Sequence, residues 1–154
     1  MRRRDRERWA SARTLADLGD VTVAWLAGEV RETPGHCGPP QAETIPYLGV
    51  LAAVNQAGFV TTNSQAAGPS WEAWVDGFAM PATVTRLHRA AAGTPVTIVP
   101  LAHGRREELR WYGRVCHSDA VACLRAARFI HVSDPRPKHN DVLWPALARL
   151  SGNR

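Results

Sequence analysis

The stretch Asn55-Gln56-Ala57-Gly58-Phe59-Val60-Thr61-Thr62-Asn63-Ser64-Gln65 joins the end of a helix to the start of a strand. Gly58 stands where a left-handed C-terminal cap belongs. Phe59-Val60-Thr61 is β-rich, and the run then turns abruptly to small polar side chains. Hydroxyl and amide groups at the end of an apolar strand present hydrogen-bonding groups at the rim of a sheet. The best candidate site is therefore Thr62, Asn63, Ser64 and Gln65, with Trp71 or Trp74 to stack on a flat ligand. The bland alternative is a turn, because Asn and Ser at strand ends bond their own backbone.

On the N-terminal side, residues 5–13 predict a short helix with Asp5 as cap and Trp9 as anchor. Thr14-Leu15-Ala16-Asp17 matches a capping box, and Leu15, Leu18, Thr22, Trp25 and Leu26 share one face of a helix over 15–29. Gly19 weakens that helix by about 1 kcal/mol relative to alanine. The prolines and glycines of residues 31–40 make a loop, and a third, largely buried helix is predicted over about 42–57.

On the C-terminal side, residues 59–64 and 71–79 predict two strands joined by a turn. Pro81 suits the first turn of a helix that runs to about Ala92. Val96-Thr97-Ile98-Val99 reads as an inner strand. Residues 108–115 alternate, with Leu109, Trp111 and Val115 inward, so His103-Gly104-Arg105-Arg106 should close a hairpin. A helix over 119–128 capped by Ser118, a strand over 129–133 and a helix over about 141–151 complete the order. This predicts an α+β fold: a single domain over 9–154 behind a basic tail at 1–8, with three N-terminal helices and a mixed sheet of about five strands.

At 154 residues, with 45% hydrophobic and 21% charged side chains, the chain suits one globular domain. It has no apolar run of about 18 residues, which predicts no membrane span. The basic N-terminus lacks the apolar core of a secretory signal, and three unevenly spaced cysteines suggest reduced thiols. A cytoplasmic protein is the expectation. The net charge of +5 divides unevenly: residues 1–8 hold five arginines against Asp5 and Glu7, which leaves a nearly neutral body. Nucleic acid is thus expected to meet at most the N-terminal arginines, weakly and in a salt-dependent way.

Other constellations carry less. Cys116-His117-Ser118-Asp119 sets nucleophile, base and acid side by side, but catalytic triads assemble from distant positions. The six histidines show no metal-ligand spacing, so neither metal nor cofactor is expected. His103, Arg105 and Arg106 form the best anion-binding patch of the body, offset by Glu107 and Glu108. The Gly-rich phosphate loops and the hydrolase elbow are absent.

Two segments together resemble a family of small actinobacterial proteins, typical of Streptomyces, of unknown function. They are Ser11-Ala12-Arg13-Thr14-Leu15-Ala16-Asp17-Leu18-Gly19 with Trp25-Leu26-Ala27-Gly28, and Asn55 to Thr61 with Ser64-Gln65. Gly68, Trp71, Ala73 and Gly77-Phe78 stand where that family has a glycine-rich segment, a tryptophan, a strand and a Gly-Phe. Ala66-Ala67 replaces the Pro-Gly found there. The resemblance spans roughly residues 9–80 and implies no particular activity, although such genes also occur on plasmids and integrated elements.

Three functions follow as expectations. The first is a binding module for a small polar or nucleotide-like ligand at residues 61–65. The second is an enzyme acting on a nucleotide or modified RNA through that loop with His103 or Arg105. The third is a mobile-element accessory protein touching DNA through residues 2–8.

Overall fold

The computed structural model describes residues 1–152, with side chains through residue 150. It holds α1 (Arg3–Ser11), α2 (Leu15–Leu26), a 3-10 helix (Ala42–Tyr47), α3 (Leu48–Gln56), β1 (Phe59–Gln65) and β2 (Ala73–Ala79). These are followed by α4 (Pro81–Ala91), β3 (Thr97–Pro100), α5 (Arg105–Gly113), α6 (Ser118–Ala126), β4 (Arg128–Asp134) and α7 (Leu143–Gly152). The α+β class stands, with helices on both faces of one sheet. No described helix is long and apolar enough to cross a membrane.

The strand order is β1-β2-β4-β3 and every neighbouring pair is antiparallel. This corrects the expected mixed sheet. β4 enters between β2 and β3 and runs opposite to both, so the two strands that point the same way never touch. The described sheet has four strands rather than five, because the segment expected to alternate as a strand over 108–115 is the helix α5. Its inward side chains follow helical spacing, with Glu108, Leu109 and Tyr112 turned inward and Tyr112 fully buried. Trp111 stays 38% exposed, between Arg110 and Arg114, whose guanidinium carbons lie 5.7 and 4.9 Å from its ring centroid. Without that strand there is no hairpin, and His103-Gly104 leads into a helix whose first turn carries Glu107 and Glu108 at its positive end.

The third N-terminal helix is also split. Pro46 lacks the amide an α-helix needs, so residues 42–47 wind as a 3-10 helix and α3 begins at Leu48. Four helical segments therefore precede β1. Two caps differ from expectation. Asp5 lies inside α1, where it is buried and accepts from the Arg31 amide at 3.1 Å, and His117 rather than Ser118 caps α6.

Other local signals hold. Thr14 and Asp17 form the reciprocal capping box, Pro81 opens α4, and Gly58 takes φ +89°. Strand alternation sends neighbouring residues into two cores. Phe59, Val75, Ile130 and Val132 pack with Leu51 and Val54 of α3 and Leu143 and Leu147 of α7. Val60, Phe78 and Phe129 pack on the other face with Trp9, Tyr112 and Leu124. α2 gives Leu26 to the first cluster and Leu18 to the second, so it lies across the β1 edge of the sheet.

Candidate functional site

β1 is an edge strand, and its outer side is the floor of the site. Asn55 anchors it to α3 at its third residue. The Asn55 amide nitrogen donates to the Leu51 carbonyl and to Thr61 Oγ1, both at 2.8 Å, and its oxygen accepts from the Thr61 amide at 3.0 Å. Thr61 is thereby tied back to α3. Between Thr61 and Asn63 the register with β2 shifts, a β-bulge that sets Asn63 opposite Asp76, Ser64 opposite Val75 and Gln65 opposite Trp74.

A cavity of about 170 Å³ lies over this edge. Its floor is Thr61, Thr62, Asn63 and Ser64, with Leu51 beside them. Trp25 and Leu26 of α2 form one wall, and Thr33, Gly35, His36, Pro40, Gln41 and Thr44 form another. Glu108 of α5 closes the site. Trp25 holds the loop in place, since its indole N–H donates to the Gly38 carbonyl at 2.9 Å and its ring meets that of His36 edge-on. His36 Nε2 donates to the Pro39 carbonyl at 3.0 Å, and Thr33 Oγ1 accepts from the His36 amide.

The structure brings Thr62, Asn63 and Ser64 to this cavity. Thr62 Oγ1 is fully buried and has no hydrogen-bond partner among the described residues, while Asn63 Oδ1 accepts from the Ser64 amide at 2.9 Å. Gln65, Trp71 and Trp74 do not line the cavity. Trp71 lies against Gly68 and donates to the Ala66 carbonyl, which makes it part of the β1–β2 connection. Trp74 sits 5.9 Å from the His131 ring. The tryptophan of the site is Trp25.

His103, Arg105 and Arg106 are elsewhere. Arg105 donates to the Arg125 and Ala127 carbonyls at the end of α6. With Arg106, Arg110 and Arg125 it lines a separate open hollow. α5 thus turns Glu108 into the cavity and its arginines away from it. Cys116 lines neither hollow, and burial pushes its thiol up to about 12.

Glu108, Trp25 and His36 belong to the site but not to the sequence-based set. Burial holds the Glu108 carboxyl up at about 7, reinforced by the negative charges of Asp76 and Glu107. Beside it runs a polar row across three strands, Asn63, Asp76 and His131, in direct register. His131 Nδ1 donates to Asp76 Oδ1 at 2.7 Å, and its Nε2 lies 3.9 Å from Glu72. The Asp76 hydrogen bond raises the imidazole above its ordinary range against the opposing effect of burial. In the sequence, Glu108 reads only as a neighbour that neutralises arginines, and nothing local links it to residue 62.

Residues 4–109 match a family described as a domain of unknown function, DUF6919. The chain belongs to that family. The DUF6919 match takes in every wall of the cavity, from Trp25 to Glu108, and stops short of α6, β4 and α7. No curated protein matches the chain.

Proposed function

We propose that this DUF6919 protein is a binding module whose ligand is a small polar molecule held over the β1 edge. The observation that carries the reading is the floor of the cavity: Asn63 and Ser64, following the internally bonded Thr61 and the closed-off Thr62 hydroxyl, beneath a loop pinned by Trp25. An edge strand offers backbone donors and acceptors as well as side chains, a combination suited to orienting a polar ligand. Size narrows the class. An engineered enclosed cavity of about 150 Å³ accommodates benzene, so the 170 Å³ here suits a ring-sized group seated inside an open mouth. No arginine or lysine stands in the wall, which leaves a phosphate without a partner. The reading places the protein in the cytoplasm, where Cys37, Cys116 and Cys123 remain thiols.

The test is a thermal-shift screen of amines, polyols, amino acids and nucleosides, repeated on an Asn63→Ala/Ser64→Ala double variant. A hit whose stabilisation disappears in a variant of unchanged basal Tm supports the reading. A variant that loses several degrees without ligand shows a structural turn instead.

Acid–base chemistry is a second reading, favoured by the juxtaposition of Glu108 with the Asp76–His131 pair beside the cavity. It would make the protein an enzyme on the same small ligand. Glu108→Gln would then abolish turnover without abolishing binding.

A further inference from the structure

The charges around the cavity are one-sided. Among the described residues Glu108 is the only carboxylate in its wall, and no arginine or lysine opposes it there; His36 is the other titratable group of the wall. Its carboxylate has no ion-pair or hydrogen-bond partner among the described residues, and its oxygens lie about 3.5–3.9 Å from where a Cβ on Gly35 would stand. It therefore reaches across to the loop side of the cavity and stops there unpaired. The other titratable groups facing it are Glu107 on its own helix, Asp76 on β2 and His36 across the cavity, with His131 behind Asp76 and bonded to it. An incoming anion would meet this field at low dielectric, which is repulsive; a cation would meet a carboxylate that lacks a partner.

The rest of the wall suits a cation that donates hydrogen bonds. Thr33, Thr44, Ser64 and Gln41 supply oxygens. The indole N–H of Trp25 is taken by Gly38, and its ring lines the cavity beside His36 as an aromatic surface.

We infer that the ligand of this cavity carries a protonated amine on a ring-sized polar body, with the Glu108 carboxylate as its counter-charge. The inference rests on the binding reading above and names its ligand class. Binding ionises Glu108, so near neutral pH it releases a proton from the carboxyl that burial holds at about 7.

Three matched probes test this on the full chain: 4-aminocyclohexanol, cyclohexane-1,4-diol and 4-hydroxycyclohexanecarboxylate. They are titrated by NMR and by calorimetry at pH 6.5 in buffers of different ionisation enthalpy. The amine should bind at least tenfold tighter than the diol and release a proton, and the acid should bind weakest. Glu108→Gln should reduce the amine to the level of the diol and remove the proton release, while Glu108→Asp should keep the order. A diol that equals the amine, or a preference unchanged in Glu108→Gln, overturns the amine and leaves the binding module standing. An acid that binds best also overturns it. If none of the three binds, the amine falls, and the binding module stands or falls on the thermal-shift screen.

Discussion

Asn55 and Thr61 satisfy each other across the junction between α3 and β1. One side-chain amide pairs with both the backbone N–H and the hydroxyl of the threonine, and all of these groups are buried. The Thr61 amide donates to the Asn55 side chain at 3.0 Å. The bond holds the edge strand against α3 immediately before the bulge that leads to Asn63 and Ser64.

Asn55→Ala should therefore cost about 2–3 kcal/mol, the penalty for leaving buried polar groups unpaired. Chemical denaturation should show the loss. In a double-mutant cycle Asn55→Ala and Thr61→Val should be clearly non-additive, because each removes the same interaction.

Thr62 is the contrary case. Its hydroxyl is buried without a partner, so Thr62→Val should leave stability unchanged or raise it by up to about 1 kcal/mol. Because that oxygen is closed off, ligand binding should also survive the substitution. A loss of binding would mean that the hydroxyl turns to the ligand on association.

Gly19 is needed for packing. A Cβ there would stand 2.7 Å from the Asn55 carbonyl oxygen, so α2 and α3 meet at van der Waals distance only because the side chain is absent. Gly19→Ala improves helix propensity but should destabilise the protein by about 1–3 kcal/mol, as overpacking does. An increased Tm would contradict this close approach.

Glu108 gives a pH dependence of known sign. Its carboxyl is held at about 7 in the fold against an ordinary value of 4.5, so the native state binds more protons than the unfolded chain between those limits. Stability from this group is complete below about pH 4.5 and falls as pH rises to about 7. Glu108→Gln, which cannot ionise, should match the parent at pH 5 and exceed it at pH 8 by up to about 3 kcal/mol. The difference between the two unfolding curves across pH reads this directly.

Much of the architecture is written locally in the chain. The Thr14–Asp17 box, Pro81 and Gly58 each act within a few residues of themselves, and each stands where its chemistry predicts. Residues 108–115 defeat such reading. Leu109, Trp111 and Val115 alternate like a strand, while Glu108 and Tyr112 repeat like a helix, and eight residues do not separate the two periods. Burial of Tyr112 against Trp9 and Phe78 decides it, and those partners lie far away in the chain. The site divides in the same way. Its polar floor is one contiguous run, but Trp25, His36 and Glu108 meet it only through the packing of α2, the loop and α5. Their charge and aromatic character, which define the ligand class proposed for the cavity, have no signature in local sequence.

The position of β4 has a consequence for how the molecule comes into being. During synthesis, β2 emerges with only β1 beside it, and β3 emerges with no neighbour at all. Both wait for residues 128–134, the last strand made yet one of the two inner ones. A nascent chain halted at residue 109 would expose the apolar rows of Val75 and Phe78 to the ribosome exit and to chaperones. The cavity, whose walls are all synthesised by then, would have no finished sheet to stand on.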